Sequence, residues 1–106
     1  MKCIIVQLHT HKNTHYSLNE CLQAIRAIGR YPEVEPEEQT PSIINLNFFT
    51  EDPRVFWAEF QQKILLNTAC GTWLKEVGII VCEGEYGWND ALLLAHYDVN
   101  ETLDNL

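Results

Sequence analysis

Three of the four histidines, His9, His11 and His15, lie within seven residues, directly after the apolar segment 3–8. If a strand continues to residue 11, His9 and His11 project from the same face, because strand side chains repeat every two residues. Neutral imidazoles at this spacing can share a zinc or another transition-metal ion, with His15 as a third ligand. An anion-binding or acid–base role is a second interpretation. The intervening Thr, Lys and Asn residues favour a third, a solvated loop.

His96 and Asp98 form a second candidate pair, at the end of an apolar segment. On an extended strand they share a face, so the carboxylate could orient the imidazole as it does in catalytic dyads. No Gly-x-Ser-x-Gly motif supplies a nucleophile, and both serines are better explained as a helix cap and a strand start. A hydrogen-bonded histidine at a strand end is therefore the simpler interpretation.

Acidic and aromatic residues alternate with glycine between residues 82 and 90. This spacing is not that of a calcium-binding loop. Exposed aromatic side chains often anchor protein partners, although the same side chains could fold back over the core. The candidate binding residues of this segment are Glu83, Glu85, Tyr86, Trp88 and Asp90.

The composition limits the classes of function. Fifteen acidic residues against seven basic ones give a net charge of −8, which disfavours nucleic acid and anionic membranes and favours a basic protein partner or cations, while solubility alone is the simpler explanation. The 106 residues predict one domain, 1–106, with ordinary globular proportions of apolar (46%) and charged (21%) residues. No apolar run approaches the length of a membrane span or a signal peptide. Four scattered cysteines without a Cys-x-x-Cys pair favour reduced thiols, and we expect a cytoplasmic protein.

The first half of the chain predicts two strands and a helix. A nearly all-apolar strand, 2–8, is expected to be covered on both faces. A helix follows, with Ser17 and Glu20 as a capping box and Gly29 at its end. Residues 31–41 carry three prolines and four glutamates, which predict an exposed acidic loop. The strand 42–50 alternates apolar and polar residues, as expected near a sheet edge.

The second half predicts a helix and a hairpin. Asp52 and Pro53 begin a helix that is expected to end at Gly71, with one further turn, 73–77, stopped by Gly78. Strands at 78–83 and 91–97 are joined by a turn-rich connection, 84–90, and the last residues, 100–106, predict a short frayed helix.

This β-α-β-α-β-β order predicts an α/β, two-layer fold with a mixed four-stranded sheet and two main helices. The first two strands would form a parallel unit with a right-handed crossover, followed by an antiparallel hairpin. In element order alone this is similar to a thioredoxin-like or a ferredoxin-like arrangement. The chain has no cysteine pair at the start of its first helix, where a thioredoxin site would need one.

The residues thus support two functional hypotheses. The first is a small acidic cytoplasmic domain that acts by binding a protein, as a regulator, inhibitor or immunity-type partner, without catalysis. The alternative is a small metal-binding, metal-dependent or acid–base enzyme that uses His9, His11 and His15. The strand 42–50 would need protection at the sheet edge, either from the acidic loop before it or from a second subunit in a homodimer.

Overall fold

Five strands and three α-helices make up the chain, and the computed structural model describes residues 1–106. The strands are β1 (Lys2–His9), β2 (Glu33–Pro36), β3 (Ile43–Thr50), β4 (Gly78–Gly84) and β5 (Gly87–His96). The helices are α1 (Leu18–Ala27), α2 (Pro53–Phe60) and α3 (Ala69–Val77). A 3-10 turn, Thr10–Lys12, follows β1, and a π-helical turn, Gln61–Leu65, extends α2.

The strands form one antiparallel sheet in the order β2-β3-β1-β4-β5. The predicted parallel pairing of the first strand with the strand 42–50 is wrong, because Ile5 lies opposite Asn47 in an antiparallel ladder. The strands β1 and β2 run in the same direction with β3 between them, and β3 and β4 do so with β1 between them. These two split β-α-β units match a ferredoxin-like arrangement rather than a thioredoxin-like one.

The sheet has one strand more than the predicted four. This additional strand, β2, lies within the acidic segment 31–41, which is exposed as expected but is not all loop. Val34 pairs with Leu46, so β2 covers the outer edge of β3. Pro36 is tolerated because proline is compatible with an edge strand, where its missing N–H faces solvent. The strand 42–50 is therefore not at the edge, and the segment before it supplies the protection that an edge needs.

The helices cover only one face of the sheet. Along β1, Ile4, Val6 and Leu8 are buried in a core of 18 residues, whereas Ile5 and Gln7 between them are half-buried. The prediction that this strand is covered on both faces is therefore wrong. We call the uncovered side the open face; by strand register it includes Cys3, Ile5, Gln7, His9, Asn45, Asn47, Phe49, Val81 and Leu93.

Two predicted helix starts and one helix end are confirmed. The Ser17 hydroxyl accepts the N–H of Glu20 at 3.1 Å, and Asp52 Oδ1 accepts the N–H of Val55 at 3.2 Å. Gly29 has a φ of +84°, the left-handed conformation that ends a helix at low cost for glycine. Local capping chemistry alone places these boundaries.

The end of the second helix is not at Gly71. The π-helical turn ends at Leu65, and Thr68 caps α3 by accepting the N–H of Gly71 at 2.8 Å. Gly71 lies inside α3, where a Cβ would overlap the backbone carbonyl oxygens of Ile64 and Leu65. Glycine is needed here for the close approach of two backbone segments, not as a helix stop.

The C-terminal region also differs from the prediction. The strand β5 begins at Gly87, so the turn-rich connection consists only of Glu85 and Tyr86. Next to this turn, the pairing of β4 with β5 is irregular. Residues 100–106 form no helix, and Asp104 instead exchanges two hydrogen bonds of 2.8 Å with the backbone of Leu93. None of the helices has the length and apolar character that a membrane crossing requires.

Candidate functional site

Tyr86 and Trp88 are exposed at the β4–β5 hairpin, with 83% and 47% of their surface accessible. They therefore do not fold back to cap the core. The turn that carries them is fixed by hydrogen bonds: the N–H of Tyr86 donates to the Asp90 carboxylate at 3.2 Å. Lys2 Nζ donates to the carbonyl oxygens of Gly84 and Glu85, which ties the turn to β1. The two aromatic rings project from an ordered turn.

The acidic residues of this segment have different roles. Glu83 Oε1 accepts the N–H of Cys3 at 2.9 Å, and the Asp90 carboxylate closes the turn, so both carboxylates stabilise the hairpin. Glu85 is exposed and its carboxylate makes no ion pair. Of the five candidate binding residues, Glu85, Tyr86 and Trp88 are thus free to contact a partner.

Phe49 joins the two hairpin aromatics at the same end of the sheet. It lies opposite Cys3 at the end of β3, on the open face, and is 56% exposed. We call Phe49, Tyr86 and Trp88 the aromatic end. The sequence analysis missed Phe49, although it continues the outward-facing series of Asn45 and Asn47 at a spacing of two residues.

At the opposite end of the open face, side chains form a hydrogen-bond chain across the sheet. Gln7 Nε2 donates to Asn45 Oδ1 at 3.2 Å, and Asn45 Nδ2 donates to Glu37 Oε1 at 3.1 Å. The Gln7 carbonyl oxygen is 2.9 Å from His9 Nε2. An amide oxygen can only accept, so His9 Nε2 carries the proton and Nδ1 is left as an acceptor.

His9 also lies in a cluster of rings and cations where β1 and β5 end. Its ring centroid is 6.2 Å from that of His11 and 5.3 Å from that of Tyr97. Tyr97 in turn contacts the His96 ring at 4.6 Å and Lys12 Nζ at 4.2 Å. Burial lowers the pKa of His9, and the nearby positive charges of His11, Lys12 and His96 lower it further. The neutral imidazole is therefore favoured.

The structure does not assemble the predicted metal ligands. His15 is exposed in the loop before α1, where its N–H donates to Asn13 Oδ1 at 2.8 Å. No group of three or more His, Cys, Asp or Glu side chains is arranged to hold a metal ion. Instead, two histidines of the segment 9–15, His9 and His11, cluster with His96 at the end of β5.

His96 and Asp98 do interact, but not as a carboxylate–imidazole pair. The backbone N–H of Asp98 donates to His96 Nδ1 at 2.9 Å. The Asp98 carboxylate accepts the N–H of Asn100 at 2.9 Å and so stabilises the next turn. This is the simpler of the two interpretations of the pair, a hydrogen-bonded histidine at a strand end.

A small apolar cavity of about 230 Å³ lies on the helical side, between β5 and the helices. Leu94 and Ile80 line it from the sheet, Trp57 and Leu74 from the helices, and Leu103 from the C-terminal segment. Its volume is below the roughly 300 Å³ at which ligand pockets begin. The cavity is therefore a weaker candidate site than the open face.

Comparisons of the chain with protein-family models, with curated proteins and with solved structures found no match.

Proposed function

We propose that this chain is an acidic, cytoplasmic protein-binding domain without catalytic activity, and that its aromatic end is the contact surface. One observation carries the proposal: three large aromatic side chains, 47% to 83% exposed, lie at the same end of the sheet. Aromatic residues on rigid elements are the commonest energetic anchors of protein interfaces. They lose little conformational entropy on binding because they rotate about only two side-chain bonds.

The charge distribution favours a basic partner. The chain has a net charge of −8, and exposed glutamates of β2 border the open face. Glu85 is exposed next to Tyr86 in the hairpin turn, and Glu51 follows β3 at the same end. Carboxylates around an apolar contact raise the association rate of a basic partner and select against acidic ones.

Affinity capture with matched variants tests the proposal. Wild-type protein, Tyr86→Ala and Trp88→Ala are immobilised and exposed to extract of the cells that make the protein, and the retained proteins are quantified by mass spectrometry. Val99→Ala is the control, because Val99 is 93% exposed but lies beyond the opposite end of β5. We expect a basic protein that wild type and Val99→Ala retain and that each aromatic variant loses by about tenfold or more.

The melting temperatures of wild type, Tyr86→Ala and Val99→Ala should agree, since these side chains are largely in solvent, whereas a small decrease is expected for Trp88→Ala because Trp88 is only 47% exposed. Equal retention by all four proteins would contradict the proposal. So would a fall in melting temperature that accounts for the loss of binding.

An acid–base function of His9 is the second candidate, and the hydrogen-bond chain from His9 to Glu37 favours it. That chain fixes one ring nitrogen as a donor and leaves Nδ1 as a base. The Lys12 ammonium, which lies over the Tyr97 ring beside His9, suits an anionic ligand better than a metal ion. An NMR spectrum of the imidazoles that is unchanged by inorganic phosphate and by zinc would count against it.

A further inference from the structure

Two buried thiols face each other between α1 and α3. Cys21 and Cys70 are 0% and 1% exposed, and their sulfur atoms are 2.9 Å apart. They are separated by 49 positions in the sequence, so the contact joins two helices that are distant in the chain. Each thiol has the other as its closest hydrogen-bonding partner.

We propose that Cys21 and Cys70 form a reversible disulfide that links α1 to α3. A disulfide bond is about 2.05 Å long, so the sulfur atoms need to approach by less than 1 Å. The two thiols already lie within hydrogen-bonding distance of each other. The other cysteines lack such a partner: the Cys82 thiol donates to the carbonyl oxygen of Glu83, and Cys3 is half-buried on the open face.

The position of the two residues suggests the order of the reaction with a peroxide. Cys70 is the second residue of α3, where the partial positive charge of the helix N-terminus stabilises negative charge on sulfur. The side-chain hydrogen bond with Cys70, and after it burial, raise the pKa of the Cys21 thiol, which keeps its proton. We assign the attacking sulfur to Cys70 because of its position at the start of α3, and the resolving sulfur to Cys21.

The chemistry balances with hydrogen peroxide as the oxidant. The Cys70 thiolate attacks one peroxide oxygen, the O–O bond breaks, and hydroxide leaves as the sulfenic acid forms. The Cys21 sulfur then attacks the Cys70 sulfur, the S–O bond breaks, and the proton of Cys21 leaves with hydroxide as water. Two thiols and one peroxide thus give one disulfide and two waters. A small dithiol then reduces the disulfide back to two thiols by thiol–disulfide exchange.

The reaction needs a brief opening of the helical layer, because both sulfur atoms are buried. The residues around Cys70 make such an opening feasible: the helix α3 begins after a three-residue break, 66–68, in which Asn67 has a φ of +59°. Segments outside regular secondary structure open at a lower free-energy cost than core helices and strands. Oxidation is therefore expected to be slower than that of an exposed thiol.

Peptide mapping of the oxidised native protein tests the inference. Reduced protein is treated with hydrogen peroxide, the remaining thiols are alkylated, and the protein is digested without reduction. We expect a linked peptide that contains Cys21 and Cys70, an intact mass lower by two hydrogen atoms, and a melting temperature higher by about 5 °C or more. Dithiothreitol should reverse all three changes.

Single variants provide the controls. Cys21→Ser and Cys70→Ser should each lose the thermal response, whereas Cys3→Ser should keep it. A linked peptide between other cysteines, or free Cys21 and Cys70 after Cys3 has been oxidised, would overturn the inference. The mapping of wild-type protein decides between these outcomes even if a serine variant fails to fold.

Discussion

At the scale of single residues, the surroundings of His9 show which contacts can be predicted from the sequence and which cannot. The spacing of His9 and His11 indicates a shared location, and their ring centroids do lie 6.2 Å apart. The residues that determine the chemistry of His9, however, are Gln7, Tyr97 and His96. Two of these come from the last strand and the turn after it, and no local pattern predicts that β5 ends beside the end of β1.

The lowered pKa of His9 predicts a pH dependence of stability. In the unfolded chain the imidazole takes up a proton near pH 6.5, whereas in the folded protein it stays neutral to a lower pH. Below pH 6.5 the unfolded state therefore binds more protons, and the free energy of unfolding falls as the pH drops towards the folded pKa. Above pH 6.5 this contribution is absent.

Urea unfolding of wild type and His9→Gln at pH 7.5, 6.5 and 5.5 measures this effect. We expect the decline between pH 6.5 and 5.5 to be smaller in His9→Gln, because the variant lacks the group that is protonated only on unfolding. An equal decline in both proteins would show that His9 does not contribute to it.

At the scale of elements, predictions from local chemistry succeed and predictions that need a tertiary contact fail. The start of α1 at Ser17 and the start of α2 at Asp52 each depend on a side chain three residues from its acceptor N–H, so the sequence suffices. The end of the second helix depends instead on how closely α3 approaches the π-helical turn. The sequence favours Gly71 as a helix stop because that approach cannot be read from the residues around it.

Replacement of Gly71 by alanine distinguishes these two explanations. Helix propensity alone predicts that Gly71→Ala stabilises α3 by about 1 kcal/mol. The overlap of the new Cβ with the carbonyl oxygens of Ile64 and Leu65 predicts the opposite, a loss of about 2 kcal/mol or more.

The free energy of urea unfolding gives the answer, with Lys75→Ala on the exposed side of the same helix as the control. The control is expected to change it by no more than about 0.5 kcal/mol. A Gly71→Ala protein as stable as wild type would mean that the two backbone segments do not approach this closely.

At the scale of the whole molecule, the decisive feature is that all the helices pack on one side of the sheet. An apolar strand such as β1 is compatible with cover on one face or on two, and only the antiparallel order of its neighbours settles which. The acidic segment 31–41 is also only partly predictable: its charges and prolines predict that it is exposed, but not that it pairs with β3. The open face, and the position of Phe49 at the same end of the sheet as Tyr86 and Trp88, are therefore products of topology that the sequence does not reveal.

The proposed protein-binding function requires that the aromatic end contacts a partner in the cell. Site-specific photo-crosslinking measures this directly: a photoreactive phenylalanine analogue replaces Tyr86 in one protein and Val99 in another, and both are irradiated in the cells that make the protein. Both side chains are exposed and lie at opposite ends of β5. We predict a discrete protein adduct from position 86 and none from position 99. No adduct at position 86, or the same adducts from both positions, would contradict the account.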